Sequence, residues 1–107
     1  MIEVPEVTPR QLSDEMRIRR PVLLDVRGSE ELAISRLPDV VHIPLNDLAD
    51  RIGELDPEAD TVVVCRSGKR SAYATAFLLS QGFRGVRNLT GGMNEWARTV
   101  DPTMATY

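Results

Sequence analysis

Short apolar runs alternate with stretches of helical periodicity along the whole chain. The apolar runs that predict strands are Pro21–Val26, Val40–Ile43, Thr61–Val64 and Val86–Leu89. Continuous apolar runs of this length are typical of strands that are covered on both faces. The run Thr61–Val64 is β-branched at every position and gives the strongest strand signal.

Helical patterns fill the intervals between these runs. Thr8, followed by Pro9 and Gln11, predicts a capped helix start, and Ser29 is a candidate cap for a second, short helix. A third helix is predicted from the spacing of Leu45, Leu48, Ile52 and Leu55, and a last, short helix contains Trp96. Between them, Lys69–Gln81 is predicted as a helix that has Gly82 after it and one face formed by Ala72, Thr75, Ala76 and Leu79. Strands and helices that alternate in this way predict an α/β fold with a mostly parallel sheet of about five strands and helices on both faces. The active site of such a fold is expected at the carboxyl ends of its strands.

Composition narrows the classes of protein to consider. The 107 residues suit one domain, 1–107, and a net charge of −3 argues against nucleic acid as the main partner. No apolar run approaches the length of a membrane span, and residues 1–10 lack the shape of a signal peptide. The single cysteine excludes an internal disulfide, so we expect a cytoplasmic location. The acidic residues between 47 and 56 are spread around a helix, so we predict no metal site.

The segment with the clearest chemistry begins at Cys65. This cysteine directly follows the strongest strand and precedes a helix, where backbone N–H groups favour an anion. Arg66, Lys69 and Arg70 are close in sequence and should help to populate the thiolate. Gly68 allows the loop to curl around a ligand. The pattern therefore predicts an anion cradle with a nucleophilic sulfur at its base.

Purely structural roles are the alternative interpretation for several of the candidate residues. Cys65 could end a core strand, with its basic neighbours merely solvated. His42, the only histidine, could act as a base, although its position in a predicted buried strand favours a structural role. Trp96 is better interpreted as a core residue than as a ligand platform.

Four motifs in order resemble one known family. The loop Cys65-Arg66-Ser67-Gly68-Lys69-Arg70-Ser71 resembles the active-site loop of the rhodanese-like family. The other three motifs are Leu24-Asp25-Val26-Arg27 with Glu30-Glu31, His42-Ile43-Pro44-Leu45, and Leu89-Thr90-Gly91-Gly92 with Trp96. Residues 96–107 also resemble the end of the rhodanese domain that follows an adenylyltransferase in bacterial sulfur-carrier activating proteins.

The resemblance implies a sulfurtransferase in which Cys65 accepts a sulfur atom as a persulfide. The donor would be thiosulfate or a protein persulfide, and the acceptor a thiol, cyanide or a small sulfur-carrier protein. The persulfide and the anionic donor would be bound by Arg66, Ser67, Gly68, Lys69, Arg70 and Ser71. Asp25 and Arg27 would brace the loop through hydrogen bonds, and no metal or organic cofactor is implied.

Two details of the sequence refine this resemblance. The spacing from Cys65 to Arg70 is Cys-x4-Arg, as in sulfur-transferring relatives, whereas phosphatase and arsenate-reductase relatives have Cys-x5-Arg. Residues Ser35–Val40 depart from the family pattern Gly-His-Ile-Pro-Gly-Ala, and we expect an altered surface turn there. The alternatives are a non-catalytic interaction module of the same fold and a cysteine-dependent phosphatase or arsenate reductase.

Overall fold

A computed structural model describes residues 3–107, so Met1 and Ile2 of the segment tested for a signal peptide lie outside it. The strands are β1 (Glu6–Val7), β2 (Val22–Asp25), β3 (Val41–His42), β4 (Asp60–Val64) and β5 (Gly85–Leu89). The helices are α1 (Pro9–Met16), α2 (Ser29–Ile34), α3 (Leu48–Arg51), α4 (Lys69–Ser80) and α5 (Gly92–Thr99).

The five strands form one sheet in the order β1-β5-β4-β2-β3, and every pair of neighbours is parallel. The predicted α/β class and five-stranded parallel sheet are therefore confirmed. Because β4 is central, its carboxyl end lies between those of β2 and β5. Asp25, the last residue of β2, pairs with Val64, the last residue of β4.

Each face of the sheet is covered by a separate apolar cluster. On one face, β2 and β4 contribute Leu24 and Val63, which pack with Leu48 of α3 and Leu78 of α4. On the other face, Leu23 and Val62 pack with Leu12 of α1 and with Met93 and Trp96 of α5. Burial of alternate strand residues on opposite faces explains why the strands are apolar throughout. Trp96 is thus a core residue, as predicted.

The residues that flank the helices agree with two of the predicted helix ends and disagree with one. Thr8 caps α1 and forms the expected reciprocal pair with Gln11. Gly82, predicted to follow α4, adopts a left-handed φ of +90°, the conformation that favours glycine after a helix. The predicted cap at Ser29 is wrong, because Gly28 holds that position and its N–H bonds to the side chain of Glu31.

Three other predictions need correction. The buried face of α4 is formed by Ser71, Ala74, Thr75 and Leu78, one position away from the predicted set. Two of these buried residues, Ser71 and Thr75, are polar, so a pattern of apolar positions could not locate this face. Their burial is possible because they are hydrogen-bonded; Thr75 Oγ1, for example, donates to the carbonyl of Ser71 at 2.7 Å. Strand β1 was not predicted, since it has only two residues. The single helix predicted around Leu45–Leu55 is instead a 3-10 turn, α3 and a second 3-10 turn that contains Gly53.

The Ser35–Val40 segment is more than the expected surface turn. Ser35 and Leu37 are buried, and Leu37 belongs to the cluster that contains Trp96. The carbonyl of Ser35 accepts a 2.7 Å hydrogen bond from Arg27 Nη2. The segment therefore contributes a main-chain acceptor to the surroundings of Arg27.

Residues 3–107 lack two features that would bear on function. No helix there is both long enough and apolar enough to cross a membrane. The same residues contain no cluster of three or more histidine, cysteine or acidic side chains suited to a metal ion.

Candidate active site

Cys65 lies directly after β4, at the base of the predicted loop. Its Sγ accepts hydrogen bonds from the N–H groups of Gly68 and Ser71, with donor distances of 3.1 and 3.4 Å. The hydroxyl of Ser71 lies 3.2 Å from the same sulfur. Only 1% of the residue is exposed. The loop and the first turn of α4 thus wrap around the sulfur, with polar hydrogens directed at it.

The loop keeps this shape because glycine backbones approach it closely. Gly68 has φ +98°, and a Cβ there would lie 3.2 Å from the backbone nitrogen of Gly91. Gly92 has φ +61°, and a Cβ there would lie 2.3 Å from the carbonyl oxygen of Cys65. Both positions therefore require glycine, for conformation and for space.

Helix α5 holds the loop from the side opposite α4. The N–H of Met93 donates to the carbonyl of Cys65 at 2.8 Å, and that of Asn94 donates to the carbonyl of Arg66 at 3.1 Å. The Gly-Gly motif therefore allows the start of α5 to bind the loop carbonyls. Carbonyls fixed in this way leave the loop N–H groups turned toward the other side.

Asn88 is a site residue that sequence analysis missed. It is buried in β5, accepts a 2.5 Å hydrogen bond from Ser71 Oγ, and donates from Nδ2 to the carbonyl of Gly68 at 3.1 Å. It therefore orients the hydroxyl that faces Cys65 and also fixes the turn of the loop. The sequence did offer one indication of this role: an asparagine inside a short predicted strand is buried, and a buried amide needs hydrogen-bond partners nearby.

Several N–H groups of the loop remain available to a ligand. Within residues 3–107, the amides of Arg66, Ser67, Lys69 and Arg70 have no hydrogen-bond acceptor. The last two belong to the first turn of α4, where helical amides point outward along the axis. Arg66 and Ser67 are exposed, whereas Cys65 is buried beneath them. A second sulfur or an oxyanion could therefore bind above Sγ and accept these hydrogen bonds.

The three predicted cations have different surroundings. Arg66 and Lys69 are exposed, as a ligand-attracting role requires. Arg70 instead forms a two-bond ion pair with Glu31 of α2, at 2.7 and 2.8 Å. The Arg70 hydrogen bonds lower the pKa of Glu31 to about 2, and Glu31 in turn raises the pKa of Arg70. Arg70, predicted as one of three cations that attract the anionic donor, is therefore charge-compensated by Glu31, and its part in anion binding stays a prediction.

Asp25 and Arg27 form a fully buried ion pair at the end of β2. Arg27 Nη2 lies 2.8 Å from Asp25 Oδ2, and neither side chain is exposed. Burial lowers the pKa of Arg27, but hydrogen bonds to Asp25 and to the hydroxyl of Tyr107 outweigh burial and raise that pKa overall. His42 adds a contact here, with its Nε2 2.6 Å from the carbonyl oxygen of Arg27.

The predicted route by which this pair braces the loop is wrong. Within the described residues, the side-chain hydrogen bonds of Arg27 reach Asp25, the carbonyls of Glu31 and Ser35, and the Tyr107 hydroxyl, but not the loop 65–71. The pair instead supports α2 and Tyr107. Glu31 of α2 contacts Arg70, and Tyr107 contacts Arg66. Glu31 and Tyr107 are thus further site residues that pattern analysis did not assign.

The fold and the loop define a parallel α/β domain with a thiol at the base of an anion-binding loop. A family model described as the rhodanese-like domain matches residues 8–99. The chain belongs to this rhodanese-like family, as the four motifs predicted.

Known relatives agree with this assignment. A sulfurtransferase of Allochromatium vinosum is 38% identical over 103 residues, with 95% of this chain and 96% of the relative covered. The adenylyltransferase and sulfurtransferase uba4 of Ogataea parapolymorpha is 37% identical over 94% of this chain, which spans 25% of that protein. The crystal structure of a rhodanese-related protein from Thermoplasma volcanium superposes with a TM-score of 0.83 at 25% identity, with 90% of this chain and 93% of that chain covered. The relatives thus include sulfurtransferases, some built as a single domain and some as part of a larger protein.

Proposed function

We propose that this chain is a sulfurtransferase that carries a sulfane sulfur as a persulfide on Cys65. The observation that carries the proposal is the position of Sγ beneath unpaired amides of the loop. A persulfide places a second, anionic sulfur one bond beyond Sγ. That sulfur would lie near the amides of Arg66, Ser67, Lys69 and Arg70 and would accept hydrogen bonds from them.

The loading half-reaction begins with the Cys65 thiolate. It attacks the outer sulfur of thiosulfate, a new S–S bond forms at Sγ, and the S–S bond of thiosulfate breaks. Sulfite leaves with the bonding electron pair, so charge balances without an oxidant or a reductant. The N–H groups of Gly68 and Ser71 stabilise the attacking thiolate, and the exposed cations of Arg66 and Lys69 attract the dianionic donor.

The unloading half-reaction returns the enzyme to its starting state. An acceptor nucleophile attacks the terminal sulfur, the S–S bond breaks, and Cys65 leaves as the thiolate. Because Cys65 is the only cysteine, no second thiol of the chain can receive the sulfur. The acceptor is therefore another molecule: cyanide or a small thiol in an assay, and a small sulfur-carrier protein in the cell.

A carrier protein as the acceptor is supported by the resemblance of residues 96–107 to the rhodanese domain of sulfur-carrier activating proteins. The uba4 relative is named for the same two activities that those proteins combine, adenylyltransferase and sulfurtransferase. A protein persulfide is the alternative donor to thiosulfate. We assign the reaction to the cytoplasm, where a lone exchangeable thiol stays reduced.

The half-reactions can be tested by intact-protein mass under non-reducing conditions. Purified protein is incubated with thiosulfate, desalted and weighed, and then treated with cyanide. We expect a gain of one sulfur atom and its loss to cyanide as thiocyanate. Cys65→Ser, which keeps a polar atom of similar size between the same donors, should gain nothing.

Two results would contradict the proposal. If neither thiosulfate nor a persulfide-loaded cysteine desulfurase adds sulfur to folded protein, the interaction-module hypothesis is favoured. Hydrolysis of a chromogenic phosphate ester that depends on Cys65 would favour a phosphatase and contradict the interpretation of the Cys-x4-Arg spacing.

A further inference from the structure

Residue Tyr107 returns to the candidate active site although it is far from the catalytic loop in sequence. Its N–H donates to Asn94 Oδ1 at 3.1 Å, and its main-chain oxygen accepts from Asn94 Nδ2 at 2.9 Å. Asn94 is buried in the first turn of α5, and its own N–H binds the carbonyl of Arg66. The backbone of Tyr107 is therefore fixed to the same helical turn that fixes the loop.

The Tyr107 hydroxyl connects the two ion pairs of the site. It accepts a 2.8 Å hydrogen bond from Arg27 Nη1 and donates a 2.7 Å hydrogen bond to Glu31 Oε2. Partial burial raises the pKa of Tyr107, so the phenol keeps the proton that it donates. The hydroxyl thus gives Arg27 an acceptor and holds Glu31 in place on Arg70.

The Tyr107 ring contacts Arg66, one of the two exposed loop cations that Glu31 does not compensate. The guanidinium carbon of Arg66 lies 5.0 Å from the ring centroid, within the range of a cation–π interaction. Within residues 3–107, Arg66 forms no ion pair and makes no side-chain hydrogen bond, so the ring is its one attractive polar contact there. An exposed arginine without such a contact would sample many rotamers.

We propose that Tyr107 is a positioning residue that holds Arg66 beside the mouth of the loop, where Arg66 attracts anionic sulfur donors. This inference rests on the proposed function, because it names how the same site selects its donor. The ring and the hydroxyl have separate consequences. The ring orients Arg66 and also lies 5.9 Å from the guanidinium carbon of Arg27, whereas the hydroxyl completes the hydrogen bonding of Arg27 and Glu31.

Alkylation of Cys65 tests this division of roles without any sulfur transfer. Iodoacetate is an anion and iodoacetamide is its neutral counterpart, and both form the same kind of bond with the Cys65 thiolate. The rate constant for iodoacetate divided by that for iodoacetamide therefore reports on cations near Sγ. A general change in access to the thiol affects both rate constants equally and leaves this ratio unchanged. Tyr107→Ala should lower this ratio about two- to fivefold, as expected for a cation–π contact of about 0.5–1 kcal/mol. The rate constant for loading by thiosulfate should fall by a similar factor.

Three comparisons separate positioning from a structural effect. Tyr107→Phe should restore the wild-type ratio because it keeps the ring, although it should lower the melting temperature because Arg27 and Glu31 each lose a hydrogen bond. Arg66→Ala should lower the ratio at least as much as Tyr107→Ala, and the double variant should show no further decrease. Tyr73→Ala removes a tyrosine that is 70% exposed on α4 and should leave the ratio unchanged.

The outcomes are distinguishable from those of the proposed function. An unchanged ratio in folded Tyr107→Ala, or additive losses in the double variant, would overturn the positioning role. Equal slowing of both reagents would indicate a structural role and would also overturn it. Failure of the wild-type protein to accept sulfur would contradict the sulfurtransferase proposal, while the alkylation ratio would still measure the effect of Tyr107 on Arg66.

Discussion

The carboxyl ends of β2 and β4 are neighbours in the sheet but differ in how their polar groups are satisfied. At the end of β2, Asp25 and Arg27 are fully buried and bond to each other and to surrounding carbonyls. At the end of β4, the loop has amides that find no acceptor within residues 3–107, and two exposed cations, Arg66 and Lys69. We therefore call the end of β2, where the polar groups satisfy one another, the closed end. We call the end of β4, where polar groups are left for a ligand, the open end.

The difference indicates which end is built for stability and which for binding. A buried charge without partners is costly, so the β2 end has almost no freedom to accept a ligand. The β4 end retains hydrogen-bond donors, and under the proposed function an anion replaces the solvent that satisfies them. Residues that appear equally charged in sequence, such as Arg27 and Arg66, thus have different surroundings, and we propose different roles for them.

The largest effect on stability is expected from breaking the closed end. Arg27→Leu leaves Asp25 buried without its counter-charge and should lower the free energy of unfolding by about 3–5 kcal/mol. Urea denaturation would measure this loss. Arg84→Leu, which removes an exposed ion pair with Glu58, is the matched control and should change stability by less than about 1 kcal/mol. Similar losses in the two variants would show that the end of β2 is not the more tightly constrained region.

The open end should depend on the glycine that lets α5 approach it. Gly92→Ala places a Cβ against the Cys65 carbonyl, so the loop must move and sulfur loading should be lost. Stability should also fall by about 1–3 kcal/mol, because a left-handed φ is strained for alanine. Gly82→Ala has a similar left-handed φ but open space around it, and it should keep full loading with only the strain cost. Equal loading by both variants would contradict the close-approach argument.

The ion pair between Glu31 and Arg70, which links the two ends, should make stability depend on pH. The pKa of Glu31 is about 2 in the folded protein against an ordinary 4.5, so the unfolded chain binds more protons between these values. Stability from this pair is present above pH 4.5 and is lost as the pH falls toward 2. The shift corresponds to at most about 3 kcal/mol, reduced to about 1–2 kcal/mol because Arg70 is partly exposed.

Acid titration of Glu31→Gln measures this contribution. The variant should show a flatter dependence of unfolding free energy on pH between about 2 and 4.5 than the wild-type protein. Identical slopes would mean that the pair contributes nothing. The smallest effect is expected from Glu54→Gln, since the Arg51–Glu54 pair is exposed to solvent and its loss should leave the unfolding free energy nearly unchanged.

The open end could be predicted from sequence, whereas most of the closed end could not. The β4 strand, the loop from Cys65 and the start of α4 are contiguous, so their spacing alone indicated an anion-binding thiol. Glu31 pairs with Arg70 across 39 positions, and Tyr107 bonds to Arg27 across 80. No local pattern encodes contacts of this separation, which depend on how the whole sheet is assembled.

Polar residues in apolar elements were the second source of error. Asn88 and Ser71 are buried because they bond to each other and to the loop, so their burial follows from the site and not from apolarity. The same cause displaced the predicted buried face of α4 by one position. Residues with functional partners are where a pattern based on hydrophobicity is expected to fail.

The contrast between the two strand ends is tested most directly by amide NMR of the protein before and after sulfur loading, with loading verified by mass. A persulfide bound by the loop should shift the N–H signals of Arg66, Ser67, Lys69 and Arg70 most, while those of β2 and Arg27 stay nearly unchanged. Loaded protein whose largest shifts lie outside the loop, or whose loop signals do not move, would contradict the assignment of the end of β4 as the sulfur-binding site.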